Sequence, residues 1–210
     1  MILYKTIYDE AETELEINKS KFITNIKPVN GYEEAQEFIS EIKIRYKDAT
    51  HNVPALVCGE KQNIQWESDD GEPSGTSGPP ILRMMVSLGL TNSVIVVTRY
   101  FGGKLLGTGG LVRAYSESAR KAIDTAGIGI VKEKIIHTYI IDYSMLGKIS
   151  NAEKDGLFNI ISTEYRDKVS LELSVDTENS KALKSLVQNI CSGRELLTKS
   201  RVEMIKERLV

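Results

Sequence analysis

The fold of this chain is decided by residues 93–119, SVIVVTRYFGGKLLGTGGLVRAYSESA. Residues 93–100 form a continuous β-branched run, which is typical of a strand buried on both faces of a sheet. A glycine-rich segment follows at residues 102–110, called the glycine loop below, and residues 111–126 then show helical periodicity up to Gly127. A buried strand, a glycine loop and a long helix in this order predict a layered α+β domain.

The segments before this stretch supply the other elements of the same domain. The sequence predicts strands at residues 15–17 and 22–29. It also predicts a helix at residues 32–46, which Asn30 can cap together with Glu33. The apolar stripe of that helix consists of Ala35, Phe38, Ile39 and Ile42. A strand pair is predicted at residues 53–58 and 64–66, and a short helix at residues 81–88, which Pro79 and Pro80 can begin. The residues between them, 68–80, are rich in glycine and proline and predict a loop.

Beyond Gly129 a second complete pattern begins. It contains a strand at about residues 133–143, a helix that Ser144 can cap and Gly156 can end, and two strands at about 157–165 and 168–175. A helix at about 178–191 and a last strand from Leu196 complete the order βαββαβ, which is that of a ferredoxin-like domain. The sequence therefore predicts an α+β protein with two domains, residues 1–130 and 131–210.

The charge is distributed unevenly, although the formal net charge is only -2. Residues 60–72 carry five acids and one lysine, whereas residues 99–121 carry five bases and one glutamate. Nucleic-acid binding would have to depend on that local basic segment, because the overall charge gives no support to it. No apolar run is long enough to span a membrane, and the acidic amino-terminal segment does not resemble a signal peptide, so a cytoplasmic location is expected.

The glycine loop is the strongest candidate binding site. It follows a strand and precedes a helix, where unpaired backbone amides favour an anion and glycine allows a ligand to approach closely. It is neither a Walker loop nor a Rossmann fingerprint, because the required spacing is absent. The alternative is that the glycines only turn the chain under tight packing. The residues predicted to bind phosphate or nucleic acid are Arg99, Tyr100, Gly102, Gly103, Lys104, Gly107, Gly109, Gly110 and Arg113.

The acidic loop, defined as residues 69–78, is the second candidate. Asp69, Asp70 and Glu72 place three carboxylates within four positions, which can hold Mg²⁺ or act as acid and base, but which can equally cap turns or pair with the basic loop. His51 and Ser74 are possible accessory residues. No zinc motif or catalytic triad is indicated by spacing, so the sequence predicts no metal site, no catalytic residue and no cofactor.

Four segments together resemble a known family. SKFI (residues 20–23), ATHN (49–52), DDGEPSGTSGPPIL (69–82) and VTRYFGGKLLGTGGLVRAYSESA (97–119) closely resemble the IMPACT family in its bacterial YigZ-like branch. The resemblance covers about residues 15–127, and the remainder looks like the small accessory domain of bacterial members.

The resemblance implies a fold and a role. The first domain should share the α+β fold of the second domain of a small-subunit ribosomal protein, and the second should be similar to the carboxyl-terminal domain of elongation factor G. Eukaryotic relatives regulate translation by interfering with a starvation-sensing kinase, through an additional domain that has no counterpart in this sequence. The resemblance therefore implies that this protein is a translation-linked regulator, and its expected partner is RNA or a ribosome-associated component.

Three hypotheses of function remain open at this point. The first is a binding module in which the basic loop grips an RNA backbone, with Tyr100 or Phe101 stacking on a base. The second is an enzyme acting on a small phosphorylated or carboxylated metabolite through Asp69, Asp70 and Glu72. The third is a protein that docks a partner through its second domain. The first two hypotheses differ in geometry. The enzyme requires the acidic loop and the glycine loop to meet in one closed pocket, whereas RNA binding requires the glycine loop to open onto a wide groove. The sequence does not indicate whether the protein is a monomer or an oligomer.

Overall fold

The chain folds into two compact units. In the computed structural model, which describes residues 2–209, the first unit comprises Leu3–Val131 together with residues 206–209, and the second comprises Ile2 together with Lys132–Ile205. Residues 206–209 therefore return to the first unit, which a single boundary near residue 130 does not describe. Independent folding of the two predicted domains stays a prediction.

The first unit is built on a five-stranded antiparallel sheet in the order β2-β3-β6-β4-β5. A further strand, β1 (Ile2–Ile7), precedes it in sequence. The bounds of the five strands are β2 (Ala11–Ile17), β3 (Ser20–Pro28), β4 (His51–Cys58), β5 (Ile64–Glu67) and β6 (Ser93–Tyr100). Strand β6 is central and buried along nearly its whole length, which confirms the prediction from its β-branched run.

Three helices cover the two faces of this sheet, namely α1 (Tyr32–Arg45), α2 (Gly78–Ser87) and α3 (Gly107–Ala126). The alternation of side chains along a strand decides which helix each residue meets. In β6, Ile95 and Val97 belong to the core with α2 and α3, whereas Val94 and Val96 belong to the core with α1. The buried residues of α1 are the four predicted for its apolar stripe.

One helix cap and two helix starts in the first unit differ from the prediction, and one of these starts is that of α2, at Gly78 and not at residue 81. The cap of α1 is Gly31, and Glu34 rather than Glu33 reaches back, accepting hydrogen bonds from the Asn30 backbone nitrogen at 2.8 Å and from its Nδ2 at 2.9 Å. Helix α3 begins at Gly107 and not at residue 111, so three glycines assigned to a loop belong to its first turn. Glycine is a poor helix former in isolation, and the packing of the following apolar stripe on the sheet overrides that preference.

The second unit has the predicted βαββαβ order. Its elements are β7 (Ile128–Ile141), α4 (Tyr143–Ala152), β8 (Phe158–Tyr165), β9 (Val169–Asp176), α5 (Ser180–Cys191) and β10 (Leu196–Arg208), of which residues 128–131 of β7 and 206–208 of β10 belong to the first unit. Strand β7 pairs with both β9 and β10, and β8 pairs with β9, which is the ferredoxin-like arrangement. Ser144 does not cap α4, whose cap is Asp142 with no side-chain hydrogen bond, whereas Gly156 ends the following short 3-10 turn in a left-handed conformation. In the described part of the chain no helix is long and apolar enough to cross a membrane.

Candidate functional site

The register of the first sheet places Arg99 at the centre of the candidate site. Arg99 lies opposite Phe22 of β3 on one side and opposite His51 of β4 on the other. Because β6 then ends at Tyr100, the glycine loop leaves the sheet directly beside these residues. Two of the predicted site residues, far apart in sequence, are therefore cross-strand neighbours.

The glycines of this loop serve different purposes. A Cβ on Gly102 would lie 2.0 Å from the Lys19 backbone oxygen, so Gly102 is required by the close approach of the β2–β3 turn. Gly103 and Gly107 have positive φ angles of 79° and 68°, and a Cβ on either would meet nothing within 4 Å. Packing therefore explains Gly102, and backbone conformation explains Gly103 and Gly107. Neither accounts for Gly109, where a Cβ would meet only the Arg113 Nη1 atom, at 3.8 Å.

Among the described residues, no side chain caps the amino-terminal end of α3. Its N-cap residue, Leu106, makes no side-chain capping hydrogen bond, and the first turn contains no acidic residue, whereas α1 carries two. Gly107, Thr108 and Gly109 are exposed. The first amides of a helix have no intrahelical acceptor and carry a partial positive charge, so this end presents unpaired donors to an anion.

The three predicted bases are not equivalent. Lys104 and Arg113 are exposed, and neither forms an ion pair with a described residue. Arg99 is buried, and its Nη1 atom donates to Glu72 Oε1 at 2.7 Å. The charge of Arg99 is therefore already balanced, and only Lys104 and Arg113 offer full charges at the surface.

Asp69 organises the acidic loop. It accepts hydrogen bonds from the Gly75 nitrogen at 2.7 Å, from the Ser77 nitrogen and hydroxyl at 3.0 and 2.6 Å, and from the Gly78 nitrogen at 3.0 Å. Burial acts to raise the pKa of Asp69, but these hydrogen bonds outweigh it and hold that pKa below its usual value. Asp69 thus caps the start of α2, although it lies several residues before that helix. This is the alternative in which the carboxylates cap turns.

Asp70 holds His51 in place. Its carboxylate pairs with Lys43 Nζ at 2.6 Å and accepts from the Asn52 nitrogen at 2.7 Å. Its backbone oxygen lies 2.8 Å from His51 Nδ1. A carbonyl can only accept, so Nδ1 must carry the hydrogen, and in the neutral ring Nε2 has none. The Nε2 atom lies 3.8 Å from Glu72 Oε1.

Glu72 forms the buried centre of the site. Its Oε1 atom accepts from Arg99 and also from the Tyr115 hydroxyl at 2.7 Å. Burial, followed by the hydrogen bond to Glu72, raises the pKa of Tyr115 far above its usual range, so the hydroxyl remains a donor. The guanidinium carbon of Arg99 lies 5.6 Å from the ring centroid of Phe22 and 5.5 Å from that of Phe101.

One nitrogen of this network has no partner. Arg99 Nε is buried and donates to no described residue. A buried polar group without a partner is costly, so an acceptor from outside the chain would be stabilising at this nitrogen.

A pocket of about 380 Å³ joins the acidic loop to the end of α3. It is called the α3 pocket below. The acidic loop contributes Glu72 and Pro73, and other lining residues come from the glycine loop and α3. The other lining residues are Thr50, His51, Arg99, Phe101, Leu105, Leu106, Gly107, Thr108 and Leu111. The acidic loop and the glycine loop therefore meet in one pocket.

The other predicted residues surround this pocket without lining it. Tyr100 is held at the edge, where its hydroxyl donates to Asp48 Oδ1 at 3.0 Å. Ser74 is exposed on the acidic loop, and Gly110 lies under Leu106, with a Cβ there 3.1 Å from the Leu106 Cβ. Asp69 and Asp70 face their own structural partners.

The sequence reasoning missed Tyr115, Thr50 and Thr108. Tyr115 lies on the buried stripe of α3 with Leu111 and Ala119, at helical spacing. A tyrosine in such a stripe needs a partner for its hydroxyl, and this signal was available in the sequence. Thr50 and Thr108 carried no such signal, because only the fold brings them to the α3 pocket.

The chain is similar to known proteins along most of its length. The family model described as the Impact N-terminal domain matches residues 18–123, and a model described as a domain of unknown function, DUF1949, matches residues 140–194. IMPACT family member YvyE of Bacillus subtilis is 40% identical over 194 residues, covering 91% of this chain and 88% of the relative. IMPACT family member YigZ of Escherichia coli is 43% identical over 110 residues, covering 51% of this chain and 54% of the relative.

A solved structure has the same fold. It is a crystal structure of a hypothetical protein, 30% identical, with a TM-score of 0.60, and the match covers 94% of this chain and 97% of that one. Both units are therefore included in the similarity.

Proposed function

The chain belongs to the IMPACT family, and on that premise we propose that it is a translation-linked regulator, acting in the cytoplasm, that binds RNA or a ribosome-associated component through the amino-terminal end of α3. The regulatory part of this proposal follows from the family resemblance. The binding part depends on the site itself.

The observation that carries the binding proposal is the open end of α3. Gly107 and Gly109 leave its first amides without covering side chains, and no residue in the described range 2–209 caps them with its side chain. Lys104 and Arg113 are exposed nearby on the same segment. Unpaired amides together with flexible cations are the combination that proteins use to hold a phosphate group.

Phe101 adds an apolar surface to this site. It is 45% exposed, which is unusual for a phenylalanine, and it lies over the Arg99 guanidinium. Stacking of a base on an aromatic side chain contributes about 1–3 kcal/mol and does not depend on which base is present. The site thus supports binding of a single strand, in which bases are free to stack.

A salt titration with single-stranded RNA tests the proposal. Each phosphate neutralised on a single strand contributes about -0.7 to the slope of log K against log salt, so the two exposed bases predict a slope of about -1.4. Lys104→Ala should flatten the slope by about 0.7 without changing the fold, because that side chain is exposed. Salt-independent binding, or an unchanged slope for this variant, would leave the glycines as packing residues.

A matched control is available in the same unit. Lys61 is also exposed, but it lies in the β4–β5 turn, at the opposite end of β4 from His51. Lys61→Ala removes the same charge from the chain and should leave the slope as in the parent. If Lys61→Ala and Lys104→Ala flatten the slope equally, the attraction is that of overall charge and not of this site.

The meeting of the two loops in one pocket favours a second candidate, an enzyme acting on a small phosphorylated or carboxylated metabolite. Of the three acidic-loop carboxylates only Glu72 lines the α3 pocket, so this chemistry would depend on Glu72 and His51. If the loop held a divalent ion, Mg²⁺ should raise the melting temperature and Asp70→Ala should abolish the gain. We expect no gain, since Asp70 is already engaged by Lys43 and Asn52.

A further inference from the structure

The second unit contains a histidine whose two ring nitrogens both contact serine hydroxyls. His137 lies in β7, is only 1% exposed, and pairs with Leu173 on the face of the sheet that packs on the helices. Its Nε2 atom lies 2.9 Å from the Ser180 hydroxyl oxygen at the start of α5. Its Nδ1 atom lies 2.7 Å from the Ser200 hydroxyl oxygen in β10. A strand, a helix start and a second strand therefore bring three polar side chains to one point.

The ring of His137 can act as a base at neutral pH. Burial, followed by the positive charge of Lys184, lowers the pKa of His137, so the ring is neutral there. A neutral imidazole has one nitrogen that donates and one that accepts. Of its two hydroxyl partners, one must therefore accept from the ring, and the other can donate its own proton to the ring. A hydroxyl that donates to an oriented, neutral histidine has the arrangement of an activated nucleophile.

The surroundings of the two serines differ. Ser180 is partly exposed and is the first residue of α5, where its own nitrogen donates to the Thr177 oxygen. The next two amides, those of Lys181 and Ala182, have no intrahelical acceptor, and both residues are exposed. An oxyanion that forms beside Ser180 can therefore accept from unpaired amides that directly follow the nucleophile. Ser200 lies within a strand and has no such helix start of its own.

Exposed apolar side chains lie on the same face of β10 as Ser200. Side chains alternate along a strand, so Val202 and Met204 share that face with Ser200. Val202 is 59% exposed and Met204 is 65% exposed. A short apolar group of a substrate can cover these side chains, whereas a charged group gains nothing from them. The surface therefore favours an apolar acyl group.

From these contacts we propose that Ser180 is a nucleophile towards short apolar carboxylic esters, with His137 Nε2 as its general base and Ser200 orienting the ring through Nδ1. In the first step the Ser180 oxygen bonds to the ester carbonyl carbon, and the bond from that carbon to the alcohol oxygen breaks. The hydroxyl proton passes to His137 Nε2 and from there to the departing alcohol oxygen. Water then cleaves the acyl-serine, which releases the carboxylic acid and restores the hydroxyl.

This inference goes beyond the proposed function. His137, Ser180 and Ser200 all belong to the second unit, and none of them lines the α3 pocket. The ester chemistry can therefore be present or absent whether or not the first unit binds RNA.

The experiment treats the full chain with p-nitrophenyl butyrate. Release of p-nitrophenol is followed by absorbance, and acid-quenched protein is digested and searched for the butyryl group by mass spectrometry. We expect a burst of p-nitrophenol with the butyryl group on Ser180. Ser180→Ala should abolish the burst, and His137→Gln should slow it at least about a hundredfold. Ser144→Ala is the matched control and should keep the parental rate, because Ser144 is an exposed serine near the start of α4 that contacts neither histidine in the described chain.

Ser200 is a positioning residue, and its variants test the orientation of the ring. Ser200→Ala removes the acceptor of Nδ1 and should slow the burst by at least about tenfold. Ser200→Thr keeps a hydroxyl at that position of the strand and should restore the rate. A hydroxyl with a structural role alone would change the melting temperature without changing the rate of the burst. Thermal melts show which variants fold, and the Ser180 and Ser200 variants decide the matter if His137→Gln does not.

Two results would overturn this inference. A butyryl group on Ser200 would show that the nucleophile is the other serine. An undiminished burst in Ser180→Ala, or butyryl groups spread over exposed lysines and Ser144, would leave His137 as a buried histidine with satisfied hydrogen bonds. Neither result bears on RNA binding, which the salt titration tests separately.

Discussion

Replacing Gly109 by alanine should stabilise the first unit and weaken ligand binding at the same time. Gly109 is the third residue of α3, its φ is not positive, and an added Cβ would meet only the Arg113 Nη1 atom, at 3.8 Å. Alanine is therefore accommodated without strain, and it should gain up to about 1 kcal/mol of helix stability. For a unit of this size that corresponds to a rise in melting temperature of roughly 2–6 °C.

The same methyl group should obstruct the ligand. Because Cα–Cβ bonds tilt towards the amino-terminal end of a helix, the added carbon lies over the first turn, where the free amides are. Loss of one hydrogen bond to a charged phosphate costs about 1.5–3 kcal/mol, which is roughly a tenfold to hundredfold weaker affinity. We therefore expect Gly109→Ala to melt higher and to bind single-stranded RNA more weakly.

Thermal melts and anisotropy titrations of the same preparations provide the assay. Gly147→Ala is the matched control, because Gly147 is an exposed glycine within α4 whose added Cβ would meet nothing within 4 Å. It should gain stability in the second unit and keep the parental affinity. A Gly109→Ala protein that is more stable and binds as well as the parent would refute the assignment of the ligand to the α3 amides.

Three further predictions concern stability. Tyr115→Phe removes the hydroxyl that donates to buried Glu72, and it should lower the free energy of unfolding in urea by about 1.5–3 kcal/mol; a change below about 0.5 kcal/mol would mean that Arg99 alone satisfies the carboxylate. The pKa of Asp69 is lowered in the folded state, so the ionised carboxylate stabilises the fold fully above its ordinary pKa of 3.8, and this stabilisation is lost as the pH falls below that value. Asp69→Asn should therefore make the free energy of unfolding less dependent on pH in acid, and an unchanged pH dependence would contradict this. A fragment of residues 1–128 should melt cooperatively but a few degrees below the same unit in the full chain, because it lacks residues 206–209, whose Leu209 nitrogen donates to Ile128 oxygen at 2.8 Å; a non-cooperative melt would show that the unit does not fold alone.

Much of the architecture could be predicted from local patterns. The buried strand β6, the stripe of α1, the strand pair β4–β5 and the order βαββαβ follow from periodicity and turn residues, which act over a few neighbouring positions. The errors fall at helix starts and near the amino-terminal end, where β1 was not predicted and β2 begins at Ala11 and not at residue 15. Glu34 in place of Glu33, and Gly107 in place of residue 111, depend on how the helix packs on its sheet and not on the residues beside the cap.

The candidate site, too, has features that follow from local sequence and features that do not. The sequence by itself determined that a glycine-rich segment with bases would lie between a buried strand and a helix, and that a cluster of carboxylates would lie in a loop, because both are properties of contiguous residues. Only the tertiary structure decided that Arg99 is buried against Glu72 and unavailable as a surface charge, and that Tyr115 completes the pair. Those contacts join residues 27 and 43 positions apart, and such pairings are set by strand register and helix packing, which no local pattern encodes.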